Sequence, residues 1–165
     1  MSLPDVEDRR AIIDRRALAD SLAGLGRGKA ANRQAASILR KALEHGRTEV
    51  AQRLEADPGR GRAAARATAY LHDQLVRLAH DFVAPGSAVA LVGLGGTGRG
   101  EMAPYSDLDL MFLTAKAPSA EEERVAEAML HLLWDLKLKV GHSVRSTAQL
   151  IALAKADMTT RTAVL

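Results

Sequence analysis

Two textures divide the chain. Up to about Phe82 the apolar residues recur at three- and four-residue steps, the period of an amphipathic helix. Leu3 to about Leu22 reads as one short helical segment carrying Ile12, Ile13 and Leu18 among many charges, and "GLGRGK" (Gly24–Lys29) breaks it. A second helix is predicted from about Ala30 to Ala56, with Ile38, Leu39, Leu43, Val50 and Leu54 on its apolar stripe and Gly46 interrupting it. "DPGRG" (Asp57–Gly61) is a turn, and a third helix from about Ala63 to Phe82 carries Leu71, Leu75 and Leu78. The arginines here fall mostly between apolar positions, which reads as a solvated helix face.

From Ala84 the apolar residues come in short runs bounded by Gly and Pro. "AVALVGL" (Ala88–Leu94) reads as a buried strand and "DLDLMFL" (Asp107–Leu113) as a second strand mixing two acids with apolar residues. Ser119 is a helix N-cap with Glu121 to Glu123 in the first turn, where carboxylates suit the helix dipole. That helix is expected to run to about Lys137. "KVGHSVRS" (Lys139–Ser146) reads as a third strand, and Thr147 to about Lys155 as a further helix. "DMTTRTAVL" has room to start another, but the chain stops at Leu165 without a turn or cap. The expected organisation is α+β: a helical segment over 1–83, then a core of strands and helices over 84–165, cut short at its C-terminal end.

Composition narrows the possibilities. The chain has 165 residues, enough for one domain or one domain with an appendage. Aromatics are 3% of it, so the core must be aliphatic, and the scarcity of basic–aromatic interleaving argues against single-strand nucleic-acid binding. A net charge of +3 is compatible with a polyphosphate ligand. Without cysteine, thiol catalysis, disulfides and Cys-based zinc sites are excluded. No apolar run approaches the ~20 residues of a membrane span, and "MSLPDVEDRRAIIDRR" lacks the apolar core of a signal peptide, so a cytoplasmic protein is expected, with no membrane partner.

The candidate chemistry lies in "VGLGGTGRGEMAPYSDLDLMFL" (Val92–Leu113). Gly93, Gly95 and Gly98 have the spacing of a dinucleotide fingerprint, which requires a following helix that receives a pyrophosphate. The stretch from Arg99 to Ser106, with Pro104 in it, leaves no room for that helix. Arg99-Gly100-Glu101 also fails the Gly-Lys-Ser/Thr ending of a P-loop. A strand, a Gly-Gly turn, an irregular loop and an Asp-x-Asp strand fit better. Residues two apart on a strand share a face, so Asp107 and Asp109 project two carboxylates together while Leu108 and Leu110 turn to the core. Such a pair suits a cation, and Mg²⁺ binds through one or two carboxylates plus substrate phosphates. Gly95 and Gly96 let the backbone approach a triphosphate. Arg99 has two readings, a bidentate phosphate contact or an ion pair with Glu101 or an aspartate. Ser106 either closes the turn or touches phosphate; turn chemistry favours the first. Gly98 and Gly100 read as loop geometry and Glu101 as structural. His142, a lone histidine on a strand, reads as packed rather than catalytic, with Arg145 on the opposite face. His72 and His80 are too far apart for a helical metal pair, His131 and Trp134 pack their helix, and His45 is superficial.

The stretch "GGTGRGEMAPYSDLDLMFL" resembles the nucleotidyltransferase signature at the N-terminal end of bacterial PII uridylyltransferases, the bifunctional uridylyltransferase/uridylyl-removing enzymes. "LWDLKLKVGHSVRS" and "ADMTTRTAVL" resemble the segments that follow it there. The resemblance implies a DNA-polymerase-β-like palm, a small mixed sheet with helices, preceded by the helical segment. It implies Mg²⁺-dependent transfer of UMP from UTP to a tyrosine of the PII nitrogen-regulatory protein, without DNA or RNA as partner. By position, Gly95 and Gly96 would hold the triphosphate and Asp107 and Asp109 the metal. Thr97 stands where many members carry an aromatic. The fold often supplies a third carboxylate from a later strand; "KVGHSVRS" has no acid, and Gly141 lies about where one is expected. Two alternatives remain open at this level: a fragment that binds nucleotide or PII without turnover, and a related transferase with another nucleotide and acceptor.

Overall fold

The computed structural model describes residues 6–164. Two short helices, α1 (Arg9–Ile12) and α2 (Arg15–Ala23), lead into the long α3 (Lys29–Ala56); a 3₁₀ turn (Pro58–Arg60) reverses the chain into α4 (Gly61–Val83). Then come β1 (Ala90–Gly93), α5 (Gly95–Arg99), β2 (Leu108–Thr114), α6 (Ala120–Asp135), β3 (Val140–Ser146), α7 (Thr147–Ala156) and α8 (Met158–Val164). The architecture is the expected α+β one, with helices followed by a three-stranded mixed sheet in the order β1-β2-β3. β1 and β2 are antiparallel, whereas β2 and β3 are parallel, joined by the crossover helix α6. None of the described helices is long and apolar enough to cross a membrane.

The helices form where the periodic pattern places them, and their ends follow local chemistry. The expected segment from Leu3 to Leu22 is two helices, because Asp14 accepts a hydrogen bond from Ala17 N–H and starts a new one; residues 1–5 lie outside the described part. Ser119 and Glu122 form a reciprocal capping box on α6, which ends at Asp135 rather than Lys137; Ser146 and Gln149 do the same for α7.

Gly46 does not interrupt α3. It lies at a close approach of α3 to its neighbours: a Cβ there would sit 2.6 Å from Leu71 Cδ1 and 2.8 Å from the Ile12 carbonyl oxygen.

One apolar core joins the helices to the sheet. Leu39 and Leu43 of α3, Leu71, Leu75 and Leu78 of α4, Met129 and Leu133 of α6, and Leu108 and Phe112 of β2 are all buried in it. The sheet therefore has one face packed on α4 and α6.

Candidate active site

The site is built at the start of β2. Ahead of that strand, Ser106 donates from both its N–H (3.2 Å) and its hydroxyl (2.8 Å) to the Ala103 carbonyl, closing a tight turn. Tyr105, inside that turn, has a left-handed backbone (φ 63°) and an exposed ring with the Arg47 guanidinium over it. The hydroxyl proton of Ser106 is thus spent within the turn, although its oxygen still has lone pairs. Pairing with β3 starts where Leu108 N–H donates to the Lys139 carbonyl (2.9 Å), so Asp107 lies one residue outside the strand rather than being its first member. The alternation still holds. Leu108 and Leu110 are buried, and Asp107 and Asp109 are exposed on the other side.

The Gly-Gly segment is not the open turn expected from its composition. Gly95–Arg99 forms a single helical turn, α5, between β1 and the loop to β2. Gly95 enters it at φ 53° and Gly100 leaves it at φ 69°, backbone values that glycine tolerates. Gly98 packs so close to β1 that an added Cβ would lie 2.5 Å from the Gly93 carbonyl oxygen. Helix geometry provides no partners for the N–H groups of Gly95, Gly96 and Thr97 in the first turn.

Three contacts tie this turn to Asp109. Leu94 N–H donates to the Asp109 carbonyl (2.9 Å). Asp109 N–H donates to Thr97 Oγ1 (3.3 Å), a connection absent from the sequence reading, in which Thr97 was only a departure from an aromatic. Its carboxylate lies between two glycines. A Cβ on Gly95 would be 3.3 Å from Asp109 Oδ2, and one on Gly141 would be 2.5 Å from Asp109 Oδ1. Gly141 is the direct β3 neighbour of Asp109 in the parallel register.

Charges around the site are arranged asymmetrically. Glu101 does not pair with Arg99. It accepts from Arg62 (2.8 Å) and Arg66 (3.2 Å) of α4, and those guanidiniums hold its carboxyl below the ordinary carboxylate range. Met102 N–H adds a bond to the Ala65 carbonyl (3.0 Å), so Arg66 and Arg62, which stays largely exposed, also anchor this loop to α4. Arg99 is exposed and forms no ion pair among the described residues. Asp107 and Asp109 likewise have no side-chain hydrogen bond or ion pair among the described residues, leaving both carboxylates free.

No group of three or more His, Asp or Glu residues close enough to hold a metal is found among the described residues. A pair of unpartnered carboxylates on one face nevertheless suits Mg²⁺, which completes its octahedron with water and substrate oxygens. A cavity of about 470 Å³ between α4 and β1 lies behind α5, lined by Tyr70, Arg77, His80, Leu91 and Thr97; neither aspartate lines it. His142 is the register partner of Leu110 and meets Trp134 edge-on (ring centroids 6.2 Å), on the face of the sheet turned away from Asp109. His131 meets the same Trp134 at 5.5 Å. His72 is fully buried, with Nδ1 2.9 Å from the Thr68 carbonyl oxygen, and burial pushes its pKa down.

With the geometry in view, comparison with known proteins is specific. Residues 45–143 match the family described as "Putative nucleotidyltransferase DUF294". The chain is 47% identical to the bifunctional uridylyltransferase/uridylyl-removing enzyme of Novosphingobium aromaticivorans, over 99% of this chain and 19% of that protein. It is 43% identical to the Azospirillum brasilense enzyme of the same name (98% of this chain, 19% of that one) and 38% identical to that of Rhodospirillum rubrum (100% and 19%). The chain thus spans about a fifth of the length of these curated relatives, 19% in each case. No solved structure matches it.

Proposed function

Since the chain belongs to the DUF294 nucleotidyltransferase family, we propose that it is the nucleotidyl-transferring part of a PII uridylyltransferase, moving UMP from UTP to a tyrosine hydroxyl of the PII protein. The observation that carries this is the free Asp109 carboxylate set beside Gly95 in the first turn of α5, with the exposed and unpartnered Asp107 two residues before it. In the reaction the acceptor oxygen bonds to the α-phosphorus, the α–β phosphoanhydride bond breaks, and pyrophosphate leaves. The Gly95 and Gly96 N–H groups, without helical partners in the first turn, would donate to phosphate oxygens, and Arg99, with no ion pair among the described residues, would add a cation. Asp107 and Asp109 are the residues that would hold Mg²⁺, which when bound neutralises phosphate charge and polarises the reacting oxygens. Thr97 keeps the Asp109 backbone in register with the glycine turn. The helical part up to residue 83 serves as the platform, gripping the loop through Arg62, Arg66 and Ala65.

The test is incorporation of radiolabelled UMP from UTP into PII, with pyrophosphate release followed in parallel. Asp107→Asn and Asp109→Asn should each abolish both signals; undiminished incorporation by either variant would sink the site assignment. UTP competed against ATP, CTP and GTP reads the base preference. Transfer from another nucleotide in preference would replace uridylylation with a different nucleotidyl transfer.

A further inference from the structure

We infer that Gly141 is a positioning residue for Asp109, its missing side chain being the space the Asp109 carboxylate occupies. This rests on the metal reading of the site given above. The parallel register sets Asp109 and Gly141 side by side, and both residues are exposed. A Cβ at 141 would come within 2.5 Å of Oδ1, closer than any real contact, whereas the nearest carbon neighbour, Asp109 Cγ, would be 3.7 Å away. Only the carboxylate tip is in the way. Any side chain at 141 is accommodated by rotating that carboxylate, without moving the strands.

The opposite wall is Gly95, whose Cβ would approach Oδ2 at a less severe 3.3 Å. The two glycines flank the carboxylate between α5 and β3, where no side chain among the described residues binds it. With glycine at 141, a third acid for this site would have to come from another position.

Gly141 and Gly95 differ in a way that separates positioning from stability. Gly141 is in a strand, where alanine is favoured over glycine, so Gly141→Ala costs little or stabilises. Gly95 is at φ 53°, where any L side chain is strained, so Gly95→Ala destabilises. Metal affinity should follow the opposite order, because the closer contact is at 141.

The experiment titrates Mn²⁺ alone into the 165-residue chain, reading free Mn²⁺ by electron paramagnetic resonance and Tm by circular dichroism on the same samples. Gly141→Ala should weaken Mn²⁺ binding by about tenfold or more, the usual scale for disturbing a ligand's supports, with Tm unchanged or raised. Gly95→Ala should weaken it less and lower Tm more. Asp109→Asn is the control for the premise. Wild-type Mn²⁺ binding by Gly141→Ala alongside weakened binding by Asp109→Asn overturns the inference and leaves the site reading standing. Loss of Tm and metal together in Gly141→Ala also overturns it, as a structural role. Unchanged binding by Asp109→Asn overturns the metal reading, and this inference falls with it.

Discussion

Gly46→Ala tests how tightly the helical platform is locked. In an exposed helix interior this change stabilises by about 1 kcal/mol, because glycine is the poorer helix former. Here the new methyl has no room. It meets Leu71 Cδ1 at 2.6 Å, Leu71 Cδ2 at 2.8 Å and the Ile12 carbonyl oxygen at 2.8 Å. Leu71 is fully buried and packed on all sides, and the Ile12 oxygen belongs to backbone, so neither neighbour yields cheaply. Overpacking of this kind costs about 1–3 kcal/mol, and two independent collisions favour the upper end. Subtracting the propensity gain leaves a net loss of about 2 kcal/mol. For a domain of this size that lowers Tm by roughly 4–8 °C. Thermal melts followed by circular dichroism, with urea midpoints as a second measure, give the answer. The loss should shrink in a Leu71→Ala background, where half of the obstruction is gone. A Tm equal to or above wild type would refute the close crossing of α3 with α1 and α4.

Two further outcomes follow from contacts around the site. Thr97→Val keeps the shape of the side chain but removes the acceptor of Asp109 N–H; it should cost about 1 kcal/mol in urea unfolding, with Thr97→Ser close to wild type, and equal stability of the Val and Ser variants would contradict the tie. Glu101 is held below its ordinary pKa by Arg62 and then Arg66, so its pairing stabilises the fold above the unfolded carboxylate pKa and is lost as pH falls through the lowered value. Glu101→Gln should therefore flatten the decline of Tm below about pH 4.3, and an acid limb identical to wild type would argue that the pair contributes nothing to stability.

Much of this was legible in the sequence, and the exceptions have a common cause. "DLDL" announces its two faces by strict alternation, and Leu108 and Leu110 are indeed buried beneath exposed aspartates. Ser119 ahead of three acids announces an N-cap, which forms, with Glu122 completing it as a capping box. These are local signals, readable because the partners lie within a few residues. Gly24 and Gly28 do separate α2 from α3 as their composition suggests, but other glycines read as breaks mislead. Gly46 is instead a close helix crossing, and Gly95–Arg99 is a helical turn held by Gly98 against β1. Whether glycine loosens the chain or allows close approach depends on what packs against it. The same holds for Arg62 and Arg66, whose partner Glu101 arrives from a distant loop. Gly141 beside Asp109 is set by the register of a parallel pair, which α6 and the strand ends fix together and no short stretch encodes.

The central claim is that Asp107 and Asp109, together with the α5 turn, form one metal–nucleotide site. Crystals grown with Mn²⁺ and a non-hydrolysable UTP analogue test it most directly, because anomalous scattering locates the ion independently of the nucleotide. The account predicts an anomalous peak coordinated by the carboxylates of Asp107 and Asp109, with the triphosphate against the Gly95 and Gly96 N–H groups. A peak and nucleotide seated elsewhere, for instance in the cavity between α4 and β1, with both carboxylates unliganded, would contradict it.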